Sequence, residues 1–304
     1  MGKTMRCPLC AIELVELFRT RDYRRPHDLA HYSVGWCGDC HYGRVLGQFT
    51  PGEVGSFYDI PYYTHGESSE GLEPRRFLER ARVHLAWRAD RGRPLSPEEG
   101  HGTSLLDVGC GGGANLAAFA ARGFTAIGVE PDEAARREAS KHGRVVPGTA
   151  ESLPDEVLSR SYETVLLSHV LEHCVDPQAA LANVRKVLAK SGRLILEVPN
   201  NAALGFWRFR ESWLWSDVPR HLHFFTPASL IRLLHRSGFE VERTIHVGFC
   251  RQYQPGWIHE QNRIAALLER PRPSAVETWA MLLRTAFASK DRKYDSVRVH
   301  ARLA

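Results

Sequence analysis

No apolar run in these 304 residues approaches the roughly 18 needed to cross a bilayer, so no membrane-spanning helix is expected. The opening Met-Gly-Lys-Thr-Met-Arg-Cys-Pro carries charge but no apolar stretch; no secretory leader is expected, and the chain reads as cytoplasmic. Charge of one sign is scarce too. A net charge of +5, dispersed along the chain, is too mild to mark a nucleic-acid surface. The one dense cluster, Arg19-Thr20-Arg21-Asp22-Tyr23-Arg24-Arg25, reads as a solvated loop or hairpin face, with an anionic partner as the other reading. The seven cysteines are odd in number, and Cys110, Cys174 and Cys250 stand alone. With no leader, that argues against a disulfide framework. The rest of the composition, 43% hydrophobic and 25% charged, is that of a globular protein with one large domain or two.

The remaining four cysteines are paired. Cys7-Pro8-Leu9-Cys10 and Cys37-Gly38-Asp39-Cys40 are two C-x-x-C knuckles with 26 residues between them. Each can offer two thiolates to one tetrahedral ion, so Cys7, Cys10, Cys37 and Cys40 are predicted to hold structural zinc; spacing alone leaves iron open. A closed thiolate shell keeps no position for water and supports folding rather than catalysis. Between the knuckles, residues 12–17 alternate with the period of a strand. An aromatic stretch over 57–63 reads as a packed linker or as a lid over a ligand. Residues 72–89 then show helical spacing.

From Ser104 onward strand and helix signals alternate. Strands are expected at 105–108, 125–130, 145–146, 164–167 and 194–198, with helices near 112–122, after Asp132, and over 177–189. This order implies an α/β fold with a parallel sheet covered on both faces. The first strand runs into Asp107-Val108-Gly109-Cys110-Gly111-Gly112-Gly113, and a helix opens at Ala114. A glycine-rich turn between strand and helix is where such folds take nucleotide-like ligands. Gly109, Gly111 and Ala114, with Glu130 21 residues beyond Gly109, satisfy a nicotinamide-dinucleotide pattern as well. Asp107 points elsewhere, since dinucleotide folds keep that strand position apolar.

These residues resemble the first motif of class I S-adenosylmethionine-dependent methyltransferases. The resemblance covers about 103–248, and its motifs occur in family order. It implies a Rossmann-like, seven-stranded methyltransferase sheet carrying a small N-terminal zinc ribbon. The cofactor it implies is S-adenosylmethionine, held by Asp107, Gly109, Gly111, Gly113 and Glu130, with Glu130 on the ribose hydroxyls. Gly148-Thr149-Ala150-Glu151-Ser152-Leu153-Pro154 resembles the adenine-side motif and adds Ala150 and Glu151; Thr149 stands where the family has aspartate. Ser168-His169-Val170-Leu171-Glu172-His173 matches the stretch after the fourth strand and brings Ser168 to the cofactor; Glu163 replaces a usual aspartate. The family's antiparallel seventh strand fits 296–303 and its sixth 240–245, with a two-helix insertion over about 250–290. The expected division is 1–70 for ribbon and linker and 71–304 for the methyltransferase domain.

Methyl transfer from a sulfonium is an in-line displacement that needs alignment, plus a base when the acceptor is a hydroxyl or carbon acid. Histidine suits that role near neutral pH. Asp217-Val218-Pro219-Arg220-His221-Leu222-His223 resembles the Asp-x-x-Tyr-His-Glu-His segment of zinc-ribbon sugar C-methyltransferases. Its histidines are in register, but Arg220 and Leu222 replace the tyrosine and glutamate. That departure favours histidine-assisted O-methylation. His221, His223 and His169 are therefore the candidate catalytic residues. Trp207, Trp213 and Trp215 read as an acceptor wall or as core. The acceptor expected is a small molecule, a sugar or related natural product. RNA methylation and sugar C-methylation stand as alternatives, with a non-catalytic binding domain or a dehydrogenase behind them.

Overall fold

The computed structural model describes residues 5–60, 74 and 76–304. The expected division at 70/71, residues 61–63 of the aromatic stretch and the first residues of the 72–89 helix lie outside the described residues. That helix is observed over Phe77–Ala89.

Three N-terminal strands, β1 (Val15–Arg21), β2 (His31–Cys37) and β3 (Tyr42–Val45), form an antiparallel sheet. The first strand begins later than the alternation over 12–17 suggests. Residues 5–14 fold back as a knuckle instead: Cys7 N donates to Ile12 O at 2.8 Å and Leu14 N to Met5 O at 2.9 Å. Those backbone groups are then spent on a turn and cannot join a ladder.

The large sheet takes β4 (Ser104–Val108), β5 (Thr125–Val129), β6 (Arg144–Val146), β7 (Tyr162–Ser168) and β8 (Leu188–Pro199) as parallel strands. A two-residue strand, β9 (His223–Phe224), belongs to the other sheet. Then β10 (Phe239–Val247) and β11 (Ser296–Leu303) close the large one in the order β10-β11-β8-β7-β4-β5-β6. β11 runs antiparallel to both neighbours. This is the expected methyltransferase sheet, seventh strand included. Leu105, Leu106 and Val108 are all fully buried, as a strand covered on both faces requires. β4 lies between β5 and β7, so the chain reverses its winding there, and the crevice at its carboxyl end is the expected ligand position.

The amphipathic helices Pro177–Val187 and Pro227–Arg236 bury Leu181, Val184, Leu230, Leu233 and Leu234 against one face. Each such side chain contributes about 1.5–3 kcal/mol. Asp176 caps the first helix and Thr226 the second through hydrogen bonds to their free amides, at 2.9 Å and 3.2 Å.

The ribbon does not stand apart. β9 pairs with β3, with Gly43 opposite Phe224 and Arg44 opposite His223, so the segment between β8 and β10 supplies the ribbon's fourth strand. Leu9, Leu14 and Tyr42 share one core with Phe225 and Leu230. A buried ion pair ties the same two parts together. Arg220, fully inaccessible, donates to both carboxylate oxygens of Asp22, at 2.6 and 2.8 Å, and to Asp217 at 3.0 Å. Arg24 also donates to Asp217, at 3.1 Å. The basic cluster at 19–25 is thus in part internal rather than a solvated face. Burial alone would raise the Asp217 carboxyl, but Arg220 and Arg24 outweigh it and hold it far below the usual carboxylate range.

Removing Asp22 leaves the buried Arg220 with only Asp217, which it shares with Arg24, so its charge is under-compensated. Asp22→Ala should therefore lower unfolding free energy by about 3–5 kcal/mol, read as a shift of the urea midpoint. The depressed Asp217 pKa stabilises the fold above about pH 4, and that contribution fades as pH falls further. Asp217→Asn should flatten the acid limb of stability against pH; an unchanged limb would remove Asp217 from it.

Candidate active site

The glycine turn is built by backbone geometry. Gly109, Gly111 and Gly113 have φ of +71°, +52° and +84°, a region that side chains disfavour. A Cβ on Gly109 would come within 2.5 Å of Val170 Cγ2, and one on Gly113 within 2.8 Å of the Ala139 backbone. The helix expected from 112 accordingly starts at Ala114. Asp107 ends the cradle's floor. It is 1% exposed, and neither carboxylate oxygen has a partner among the described residues. Burial, reinforced by Glu130, raises its pKa to about 7. An orphaned, buried carboxylate demands a donor or a cation. Glu130 accepts from Gly111 N at 2.9 Å and Asp132 N at 3.0 Å, and stands at the end of the neighbouring strand. Both the cradle and the orphaned acid fit a cationic nucleoside cofactor.

Around it lie the other expected contacts. Ala150 is buried, and Glu151 is pinned by Asp176 N at 2.7 Å. Thr149 is spent locally, accepting from Ser152 N at 3.1 Å. Ser168 ends β7 opposite Glu197 of β8. Glu163 is remote from the cleft and ties the start of β4 through Thr103 N at 2.7 Å.

The three candidate histidines differ sharply. His169, at φ +56°, leads out of β7 with its ring 3.2 Å from Glu172 and 3.5 Å from Glu197, stacked on Trp215 at 4.8 Å. Burial disfavours its charge, but the two carboxylates prevail and raise its pKa to about 9. The two carboxylates therefore favour its imidazolium form. Glu197 answers it, lowered to about 2 against burial by His169 and Arg298, the latter donating at 2.8 Å. His221 is buried, with Nδ1 2.7 Å from the carbonyl of Trp215. Burial and the neighbouring His173 lower its pKa to about 4, so it is neutral.

His223 is held on both sides. Its Nε2 contacts the carbonyl of Cys174 at 2.8 Å, and its Nδ1 is taken by the Tyr42 hydroxyl. Both ring nitrogens have protein partners, and the side chain joins the seam between ribbon and sheet.

Sequence reasoning missed Glu172, Glu197 and Tyr58. The Tyr58 hydroxyl lies 2.7 Å from Nδ1 of His173, which turns the described end of the aromatic stretch toward the cleft. Trp213 is core, whereas Trp215 sits over His169. The insertion's first helix, Pro255–Leu267, brings Trp257 to 5.7 Å from Trp215, and Arg251 lies over that ring at 5.1 Å. The insertion therefore packs over the segment around Trp215.

A family model described as "Methyltransferase domain" matches residues 77–244, more than half of the chain. The chain belongs to this methyltransferase family. It is a class I S-adenosylmethionine-dependent methyltransferase. Similar curated proteins include the ubiquinone biosynthesis O-methyltransferase of Dinoroseobacter shibae, 31% identical over 166 residues, 50% of this chain and 66% of that one. The enzyme of the same description from Caulobacter sp. (strain K31) is 32% identical over 177 residues, 54% and 68% respectively. The methyltransferase chain thus spans about two thirds of these relatives' lengths. Among solved structures, a possible histamine N-methyltransferase from Thermotoga maritima aligns at 21% identity and TM-score 0.43, covering 74% of this chain and 90% of that one.

Far from the glycine turn, Cys7, Cys10, Cys37 and Cys40 bring their sulfurs within 4.8 Å of one another, and none is in a disulfide. Amides of Leu9 and Cys40 point at Cys7 and Cys37 sulfur at 3.4 Å, and Arg232 donates to Cys40 at 3.1 Å. Four thiolates so arranged are consistent with a tetrahedral metal-binding module. At the cofactor cradle, Asp107→Ala should weaken S-adenosylmethionine binding about ten- to a hundred-fold by calorimetry, the effect of losing a charged hydrogen bond.

Proposed function

We propose that this methyltransferase transfers the methyl group of S-adenosylmethionine to a hydroxyl of a small molecule, a sugar or related natural product. The observation that carries the reading is His221. It is buried and neutral, its Nδ1–H is tied to the Trp215 carbonyl, which leaves the lone pair on Nε2, and the residue clusters with Glu172 and His173. That lone pair can address the proton of an acceptor hydroxyl, which is the help an O-methylation needs. The relatives named as O-methyltransferases of ubiquinone biosynthesis support an oxygen acceptor. Arg220 supports it as well. The residue that replaces the C-methyltransferase tyrosine is locked to Asp22 and Asp217 and is withdrawn from chemistry.

In this reading Asp107 faces the positive end of the cofactor and Glu130 its ribose hydroxyls. His169 and Glu197 hold the Trp215 wall in place. The cysteines hold zinc as a structural ion, and the division near 70 separates sequence motifs more than folding units, because β9 joins them.

His221→Ala should slow methyl transfer at least tenfold while the calorimetric affinity for S-adenosylmethionine stays within twofold. Radiolabelled donor with fractionated small molecules, RNA and protein identifies the acceptor class. Label confined to RNA or protein would overturn the small-molecule reading.

A further inference from the structure

Outside the cysteine cluster, Glu172, His173 and His221 bring three ligating atoms within 4.8 Å of one another. Nδ1 of His221 lies 2.7 Å from the carbonyl of Trp215, and Nδ1 of His173 lies 3.0 Å from that of Arg220. A carbonyl can only accept, so Nδ1 of His221 carries the hydrogen and its Nε2 the lone pair; the carbonyl contact favours the same tautomer for His173, whose Nδ1 also has the Tyr58 hydroxyl as a second partner at 2.7 Å. Metal-ligating histidines are oriented in this way. The two rings meet edge to face with centroids 4.6 Å apart. Glu172 is 0% exposed; one oxygen accepts from His169 at 3.2 Å, and the other, Oε2, is buried with no partner among the described residues. Leaving such an oxygen unsatisfied is costly, and a cation removes the penalty.

We propose that Glu172, His173 and His221 bind a divalent first-row transition ion, such as zinc, as a second metal site separate from the four cysteines. Two imidazoles and one carboxylate suit such ions. Three protein ligands leave a coordination position open, unlike the closed thiolate shell. The use of the ion rests on the hydroxyl-acceptor reading and refines the part played by His221, whose lone pair then reaches the acceptor through the metal. An acceptor oxygen in the open position becomes more acidic. Its proton leaves to solvent and an oxygen lone pair forms the new C–O bond. The electrons of the broken S–CH3 bond return to sulfur, releasing S-adenosylhomocysteine.

The test uses the full chain, stripped with a chelator under reducing conditions and titrated with Co2+ alone. Two equivalents should bind, one with intense thiolate charge-transfer absorption and one with weak visible bands only. Glu172→Gln and His221→Asn should each lose about one equivalent with the thiolate absorption intact, which also shows that the ribbon is folded. A single equivalent in the parent, or two retained in both variants, would overturn the site. Hydroxyl methylation that persists with one ion per chain would overturn the ion's part in the transfer and leave the hydroxyl-acceptor reading standing.

Discussion

Arg220 is shut off from water, and its charge is met by Asp22 from the ribbon and Asp217 from the segment after β8. A charge in that position is tolerable only when its partners are held in good geometry. The pairing therefore dictates how the ribbon sits and where the chain can go next. Immediately after Arg220 come His221, which clusters with Glu172 and His173, and His223, which enters the ribbon's sheet through β9. One clamp thus sends the two histidines into different surroundings.

The cleft itself is organised by buried carboxylates with unequal partners. Among the described residues Asp107 has none, Glu172 has one oxygen unmatched, and Glu197 is bracketed by His169 and Arg298. These differences follow from distance and burial, and they separate the groups by role. The unmatched acids await a cationic or donating ligand. The matched one supports His169, whose ring in turn braces Trp215. The insertion packs Trp257 onto the same tryptophan, so the insertion and the His169 network meet at one aromatic side chain.

Much of this was legible before any coordinates. The glycine turn, Asp107 and Glu130 are close in sequence and make a local motif, because a strand, a turn and a helix N-terminus are enough to build it. Strand seven was readable from its alternation, and its bounds agree with the observed Ser296–Leu303. The cysteine pairs were readable because two local knuckles set their own geometry. Residues 12–17 misled, since alternation cannot distinguish a ladder from a knuckle that closes on Ile12.

The sequence by itself determined the fold class, the cofactor and the four-thiolate cluster, each carried by short-range patterns in which neighbouring residues do the work. Only the tertiary structure decided how the histidines after Arg220 are held. His221 and His223 are two residues apart and look alike in the chain. They differ because Tyr42 and the Cys174 carbonyl consume both nitrogens of one, while the Trp215 carbonyl consumes a single nitrogen of the other. Those partners come from distant parts of the chain or from a turn that only packing fixes, and no periodicity records them.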